Sequence, residues 1–346
     1  MLDAFPDLES ARDDWTRLAE RSDNVFSTWE WADTWWRHFG DGRELRLSVL
    51  RDDGGEVAAI LPLHVATTRP LRVVRLVGYG PADELGPVCD PSTRGRAGAA
   101  LREALDQDGG WSMFLADRFP AGDGWAGALG SRLLRSEACP VLPIAGRSFD
   151  DYLATKSKNF REQVRRRARK LEREHEVRFR LADAASFEDD FSALVRLHAA
   201  RWDGPGAFEG PLEAFHRDFA RFALERGWLR LWILEIGGAP AAAWYGLRFA
   251  GAESYYQAGR DPAYDQWSAG FVLLSHSIRQ AFDDGMREYR FLLGDEPFKE
   301  RFAERDDAVE TLGAGRNAAG KLAVSAAAAV RRLPPGLRRR FVRAAG

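Results

Sequence analysis

The chain has 346 residues, enough for two ordinary domains or one large one, and its composition of 45% hydrophobic, 12% aromatic and 29% charged residues is that of a globular protein. Disordered, collagen-like and coiled-coil classes are excluded on that basis. Fifty cations against 52 acids leave a formal net charge of −2, which taken whole gives no reason to expect a nucleic-acid or membrane partner. The balance is not uniform: residues 156–180 carry a net of +7 and residues 316–346 a net of +8 with no acid, so everything else carries −17.

Two cysteines, Cys89 and Cys139, are too few for a disulfide framework or a metal knuckle and fit a reducing compartment. The start, Met1-Leu2-Asp3, has an acid where a secretory leader needs cations, and apolar runs such as 326–330 fall far short of the ~20 residues of a membrane span. The expectation is a cytoplasmic protein with no transmembrane segment, whose basic segments offer a peripheral contact to the inner membrane face.

In chain order, Phe26, Trp29, Trp31, Trp35, Trp36 and Phe39 recur at helical spacing and predict a buried helix face. Residues 45–66 place two apolar runs around Asp-Asp-Gly-Gly, a β-hairpin pattern, and residues 229–249 repeat it around Gly237-Gly238. A repeat at half the chain length predicts two related α/β halves, each opening with helices and continuing as an antiparallel meander. The second half begins near Ser148. Its first long helix is predicted over about 157–175 within the basic stretch 156–180, a second over 187–202 with Ser186 as N-cap, and a third over 211–226. Strands at 229–236, 240–249 and 252–259 follow, then a loop from Arg260 to Trp267, a helix from Ser268 to Asp284 and a strand from Glu288 to Leu293. A strand, loop and helix N-terminus in that order suit a phosphate, because unpaired N–H groups and the helix dipole meet there. The tail from Arg316 is Ala-rich, then broken at Pro334-Pro335, which predicts a helix followed by a basic end.

Two glycine patterns, Gly122/Gly124/Gly127 and Gly313/Gly315/Ala318, lack the strand, acid or chain length of a dinucleotide site. The six histidines form no metal-binding pair, so no metal is expected. His198 falls on the apolar side of its helix, where core packing is the default reading, with Arg201 and Trp202 one turn on; these three and Lys156 are second-rank substrate contacts. The basic stretch 156–180 reads equally as a solvated face or as a site for a polyanion or cofactor phosphate. Asp295, Glu296 and Lys299 follow a buried strand at its carboxyl end, where α/β sheets gather their chemistry.

Asn24-Val-Phe-Ser-Thr-Trp-Glu-Trp with Trp35-Trp36 and Phe39-Gly40, the Lys/Arg-rich helix, Leu197-His198 with Arg201-Trp202, Ser268-Ala-Gly and Gly294-Asp-Glu-Pro-Phe-Lys together resemble the GNAT-type acyltransferases of the cellulose-biosynthesis acetyltransferase group, which are similar in turn to Fem-type aminoacyl transferases. The resemblance spans about residues 15–312. It implies an α/β (α+β) fold, a tandem of two GNAT-like domains, each a mixed, largely antiparallel sheet flanked by helices: residues 1–147 with a degenerate donor site, 148–315 with the acyltransferase site, and a tail over 316–346. It further implies an acetyl-CoA or other acyl-CoA co-substrate. The pantetheine arm would lie along Ser254–Ala258, with Gln257 and Ala258 among its contacts, and the pyrophosphate at Gln266, Ser268, Ala269 and Gly270. Gln266-Trp-Ser-Ala-Gly keeps the glutamine of the usual GNAT loop and departs from its glycine spacing. Phe298-Lys299 matches a Phe-Lys pair of the Fem-type relatives.

Acyl transfer to an amine needs a neutral nucleophile, a polarised carbonyl and an acid for the leaving group, without a covalent enzyme intermediate. Asp295 or Glu296 is the expected base, backbone N–H groups near Tyr256 and Gln257 polarise the carbonyl, Lys299 neutralises the oxyanion or donor phosphates, and Tyr255 or Tyr256, with Tyr256 preferred, is the acid. The expected acceptor is an amine or hydroxyl of a sugar, amino sugar or cell-envelope or exopolysaccharide precursor. Alternatives are a Fem-like transferase using aminoacyl-tRNA, with the basic helix meeting RNA, and a non-catalytic polysaccharide-assembly protein that keeps the fold.

Overall fold

The computed structural model describes residues 2–68, 71–202 and 204–331. The Pro334-Pro335 break and Arg332, Arg338, Arg339, Arg340 and Arg343 of the tail lie outside the described residues. In chain order the elements are β1 Asp3–Phe5, α1 Arg12–Ser22, α2 Trp29–Phe39, β2 Arg43–Arg51, β3 Val57–Thr68, β4 Leu71–Leu76, β5 Val88–Cys89, α3 Arg94–Gln107, β6 Met113–Pro120, α4 Trp125–Ala128, β7 Arg132–Glu137, β8 Pro140–Pro143, α5 Phe149–Thr155, α6 Lys158–Glu174, β9 Val177–Leu181, α7 Phe187–Trp202, α8 Pro211–Glu225, β10 Leu229–Ile236, β11 Ala239–Phe249, β12 Ala252–Arg260, α9 Ala269–Asp283, β13 Glu288–Arg290, α10 Pro297–Phe302, β14 Arg305–Asp306, β15 Val309–Gly315 and α11 Ala318–Arg331.

Two compact units divide the chain. The second is Pro140–Asp306; the first is residues 1–139 and resumes at Asp307. The first sheet runs β1-β2-β3-β4-β6-β15-β7, with β5 on β3, and the second runs β14-β8-β13-β12-β11-β10-β9. Position by position these are the same sheet: an antiparallel meander, one parallel pair reached through a helix (β4–β6 through α3, β12–β13 through α9), then two antiparallel strands. The hairpins legible as a repeat are β2–β3 and β10–β11. The units do not meet at 147 and 315 as expected, because β8 pairs with β13 and β14 of the second sheet, while β15 inserts between β6 and β7 of the first. The described part of the tail is likewise no appendage: α11 buries Gly320 and Val324 in the first unit.

Helix α2 starts where the Thr28 hydroxyl accepts the Trp31 N–H at 3.3 Å. Trp15, Trp31 and Trp35 are buried in the first unit, and the indole N–H groups of Trp15, Trp29 and Trp35 donate to the carbonyls of Ser27, Leu8 and Tyr79, which removes the penalty of burying them.

In the second unit, α6 is capped by Ser157 and buries Phe160, Val164 and Leu171. It ends at Glu174, because Val177, Phe179 and Leu181 alternate and form the edge strand β9 instead. The +7 stretch is therefore part helix and part strand, and Arg180 belongs to the strand, paired with the buried Asp190 and with Glu235. Ser186 precedes α7 as expected, but its hydroxyl accepts the Asp183 N–H, while Asp183 accepts from the N–H groups of Ala185 and Ser186. Among the described residues no helix is long and apolar enough to cross a membrane.

Candidate active site

Strand β12 positions the site. It pairs with β11 along its whole length but with the parallel β13 only at Ala252, Glu253 and Ser254. Its last six residues, Tyr255 to Arg260, run on without that neighbour, and a register shift sets Tyr256 as the extra residue of a bulge between the Gly246–Tyr255 and Tyr245–Gln257 pairs. The parallel strands thus part, and beyond Ser254 no strand among the described residues pairs with this side of β12, with a bulge at the point of parting. Helix α7 crosses β12 at Gly259, where a Cβ would overlap the backbone of Leu197 and His198.

The expected strand to Leu293 stops at Arg290, since Leu292 takes φ 54° and Gly294 φ 122°. That turn starts the short α10 and brings Lys299 inward. Lys299 is 2% exposed; its Nζ donates to the Leu293 carbonyl and pairs with Glu296 Oε2 at 2.9 Å. A Cβ on Gly294 would stand 2.8 Å from Nζ, so glycine is required for the turn to close on the ammonium. Nζ also lies 5.8 Å from the Tyr255 ring, which touches Phe298 at 6.0 Å. Arg201, from the end of α7, reaches the Tyr255 hydroxyl at 3.4 Å and stacks at 4.6 Å on Trp202, which is 52% exposed. A chain of contacts therefore leads from an exposed indole through Arg201 and Tyr255 to a buried ammonium paired with a carboxylate.

Of the residues expected from sequence, Glu296, Lys299 and Arg201 are joined in this way, with Trp202 at the rim. Tyr256 is not: its ring packs 5.4 Å from His216 and 5.5 Å from Tyr245. Neighbours on a strand face opposite sides, and Tyr255 is the one turned to Lys299. Asp295 is exposed. His198 is a buried core histidine on the Ala258 carbonyl. Lys156 sits in a different cluster, 3.6 Å from Glu304 and 4.9 Å over the Tyr152 ring, with Arg147 on the same acid. Gln257 and Ala258 lie on the stretch of β12 beyond β13.

The expected phosphate residues gather at the start of α9. Ser268 takes φ 58° and its carbonyl accepts the Val272 N–H, so the N–H groups of Ala269, Gly270 and Phe271 precede the first intrahelical bond. One face of α6 turns toward them: Lys170 donates to the Gln266 carbonyl at 3.4 Å, Arg167 lies 4.6 Å over Phe271, and Glu174 accepts the Trp267 indole N–H at 2.7 Å. Arg167, Lys170 and Glu174 fall at i, i+3 and i+7, a helical face that the charge count alone did not single out.

Burial raises the Tyr255 pKa above 10.0 against the pull of Arg201, so its phenol keeps its proton. Burial also holds His216 down to about 3 and His276 to about 4, leaving both neutral at ordinary pH. Among the described residues no three His, Cys, Asp or Glu side chains gather as a metal site requires.

Residues 158–300 match the family model described as an acetyltransferase (GNAT) domain. This matched segment lies within the second unit, which is thus similar to GNAT acetyltransferase domains. No curated protein matches the chain significantly. Among solved structures the chain is similar to FemX, with a TM-score of 0.64 at 12% identity over 88% of this chain and 96% of that one. It is similar to the C-terminal domain of a putative lysylphosphatidylglycerol synthetase from Agrobacterium fabrum, with a TM-score of 0.60 at 11% identity over 94% and 97%. L-PGS from Bacillus licheniformis follows, with a TM-score of 0.54 at 13% identity over 88% and 95%. At these identities the structural likeness establishes the fold, which both units share.

Proposed function

We propose that the second unit transfers an acyl group from acyl-CoA to an amine or hydroxyl of a sugar, amino sugar or cell-envelope precursor, as in the cellulose-biosynthesis acetyltransferase group. The observation that carries this reading is the parting of β12 from β13 beside the Lys299–Glu296 pair. The donor's pantetheine arm lies along the open side of β12, and its pyrophosphate meets the first turn of α9 with Lys170 and Arg167 alongside. The acceptor enters past Trp202 and Arg201. Its nitrogen or oxygen attacks the thioester carbonyl, Glu296 takes the proton released, Lys299 stabilises the oxyanion, and collapse expels the CoA thiolate. Tyr255, protonated and oriented by Arg201, supplies a hydrogen bond to the leaving sulfur. Calorimetry with acetyl-CoA, followed by transfer assays on amino-sugar acceptors, tests the reading; wild-type protein that neither binds nor is stabilised by acetyl-CoA overturns it.

A second reading, an aminoacyl-tRNA donor, is favoured by one observation, the basic face of α6 beside the same helix start. RNA binding that weakens steeply with salt, without acetyl-CoA binding, would select it. The sequence of the tail supports a peripheral contact with anionic surfaces: residues 316–346 carry eight cations and no acid, five of those cations after Arg331, and α11 exposes Leu322 at 72%. Binding to anionic vesicles that is lost on truncation after Arg331 is the expected result, and equal binding with and without residues 332–346 overturns that part.

A further inference from the structure

The open side of β12 already holds one contact that acyl transfer does not explain. Asp261 N–H donates to the Ala241 carbonyl at 2.9 Å. By the alternation of an antiparallel ladder, Gly259 and Gln257 then face β11, and Ala258 turns its N–H and C=O to the opposite side, four residues past the last pair with β13. His198 Nδ1 stands 3.1 Å from that Ala258 carbonyl, on a side chain 3% exposed. A carbonyl only accepts, so Nδ1 carries the hydrogen and Nε2 is the bare nitrogen. Burial lowers the pKa of His198 and keeps the ring neutral, against the Ala258 hydrogen bond and helped by Arg201. The ring is held from behind: Phe208 meets it edge-on at 5.0 Å, and Gly206, at φ 52°, lies so close that a Cβ there would stand 2.8 Å from Nε2.

An unpaired strand edge offers carbonyls and N–H groups alike and so binds donors and acceptors without preference. Occupying one of the two changes that. We propose that His198 is a positioning residue for the acyl donor: it fills the acceptor that Ala258 presents to the open side and leaves the N–H of the same residue as the group on offer. The edge then selects a ligand that presents a carbonyl oxygen, such as the thioester or a pantetheine amide, and the fixed imidazole keeps that peptide from turning. The proposal rests on the reading of β12 as the donor strand.

The test is acetyl-CoA binding by calorimetry, with thermal melting as the control for folding, on wild type, His198→Asn, His198→Phe and Gly206→Ala. His198→Asn keeps an N–H near the Nδ1 position and is expected to bind within about threefold of wild type. His198→Phe, which keeps the ring but loses the donor, is expected to weaken binding about tenfold, and Gly206→Ala to do the same by displacing the ring. His198→Phe that melts like wild type and binds acetyl-CoA equally well overturns the proposal. So does a folded His198→Asn that binds no better than His198→Phe. If the phenylalanine variant does not fold, the asparagine and Gly206→Ala pair decides the matter. Wild-type protein that does not bind acetyl-CoA removes the acyl-CoA reading and this proposal with it, whereas wild-type binding that no variant alters removes this proposal alone.

Discussion

In the first unit β4 runs two residues, Arg75 and Leu76, past its last pair with β6; in the second, β12 runs six residues past β13. The chain leaving β4 is drawn back at once. Arg118 of β6 donates to the carbonyls of Gly80 and Ala82, the Leu85 N–H donates to the Arg118 carbonyl, and Arg75 pairs with Asp117 of β6 at 3.4 Å. The same strand order therefore gives a laced sheet in one unit and a parted one in the other. What separates the two sheets is the length of one strand beyond its parallel partner and what fills the gap.

Substitutions at the two gaps should have opposite consequences. Lys299→Ala is expected to cost about 10²–10³-fold in kcat for acyl transfer, as loss of an oxyanion-stabilising donor does, whereas Asp117→Asn in the first unit should leave turnover unchanged and alter only the melting temperature. Equal losses from both would break the contrast. Next in size are the glycines under crossing helices. A Cβ at Gly259 would overlap α7, and one at Gly315 would overlap the backbone of Gly320 and Lys321 in α11, so Gly259→Ala and Gly315→Ala should each destabilise by about 1–3 kcal/mol in denaturant melts. Only Gly259→Ala should also weaken acetyl-CoA binding.

Between the two carboxylates, Glu296→Gln should lower kcat about 10–100-fold and the exposed Asp295→Asn less than about threefold; steady-state kinetics on the pair decides which is the base. The smallest effect concerns acid. His64 in the first unit is held down to about 3 by burial, first of all, and by Arg43 and Arg75, while the second unit holds the buried His216 at about 3 and the half-buried His276 at about 4. Each has a folded pKa below its unfolded value of about 6.5, so its contribution is fully present above that pH and declines as pH falls toward the folded value. At pH 5.5 each costs about 1 kcal/mol relative to pH 7.5. His64→Phe and His216→Phe should flatten the acid limb of the melting curve in turn.

Much of this was legible in the sequence because it was written in local patterns. The paired hairpins, the helix over 187–202 and the third meander strand follow from periodicity and glycine turns, and the place of Lys299 and Glu296 after a buried strand singles them out as candidates, which the structure shows in contact with each other. The rest depended on contacts between distant residues. No spacing rule tells that residues 140–143 pair with 288–290, or that 309–315 return to lie beside Phe114 and Leu133. Tyr255 and Tyr256 were indistinguishable because a bulge sets which ring faces which side. Lys156 counted as one more cation in a basic stretch until Glu304, 148 positions away, was found beside it.

The exchange of strands also sets an order of assembly. Every strand of the second sheet lies within residues 140–306, so that sheet has all its parts once Asp306 leaves the ribosome. The first sheet does not: with β1 to β7 already synthesised, β6 and β7 lack the strand that joins them until Val309–Gly315 arrives. For the time it takes to translate the whole second unit, the N-terminal unit waits with two open edges, a state that invites pairing with another nascent chain. The half of the molecule made first is thus the half finished last.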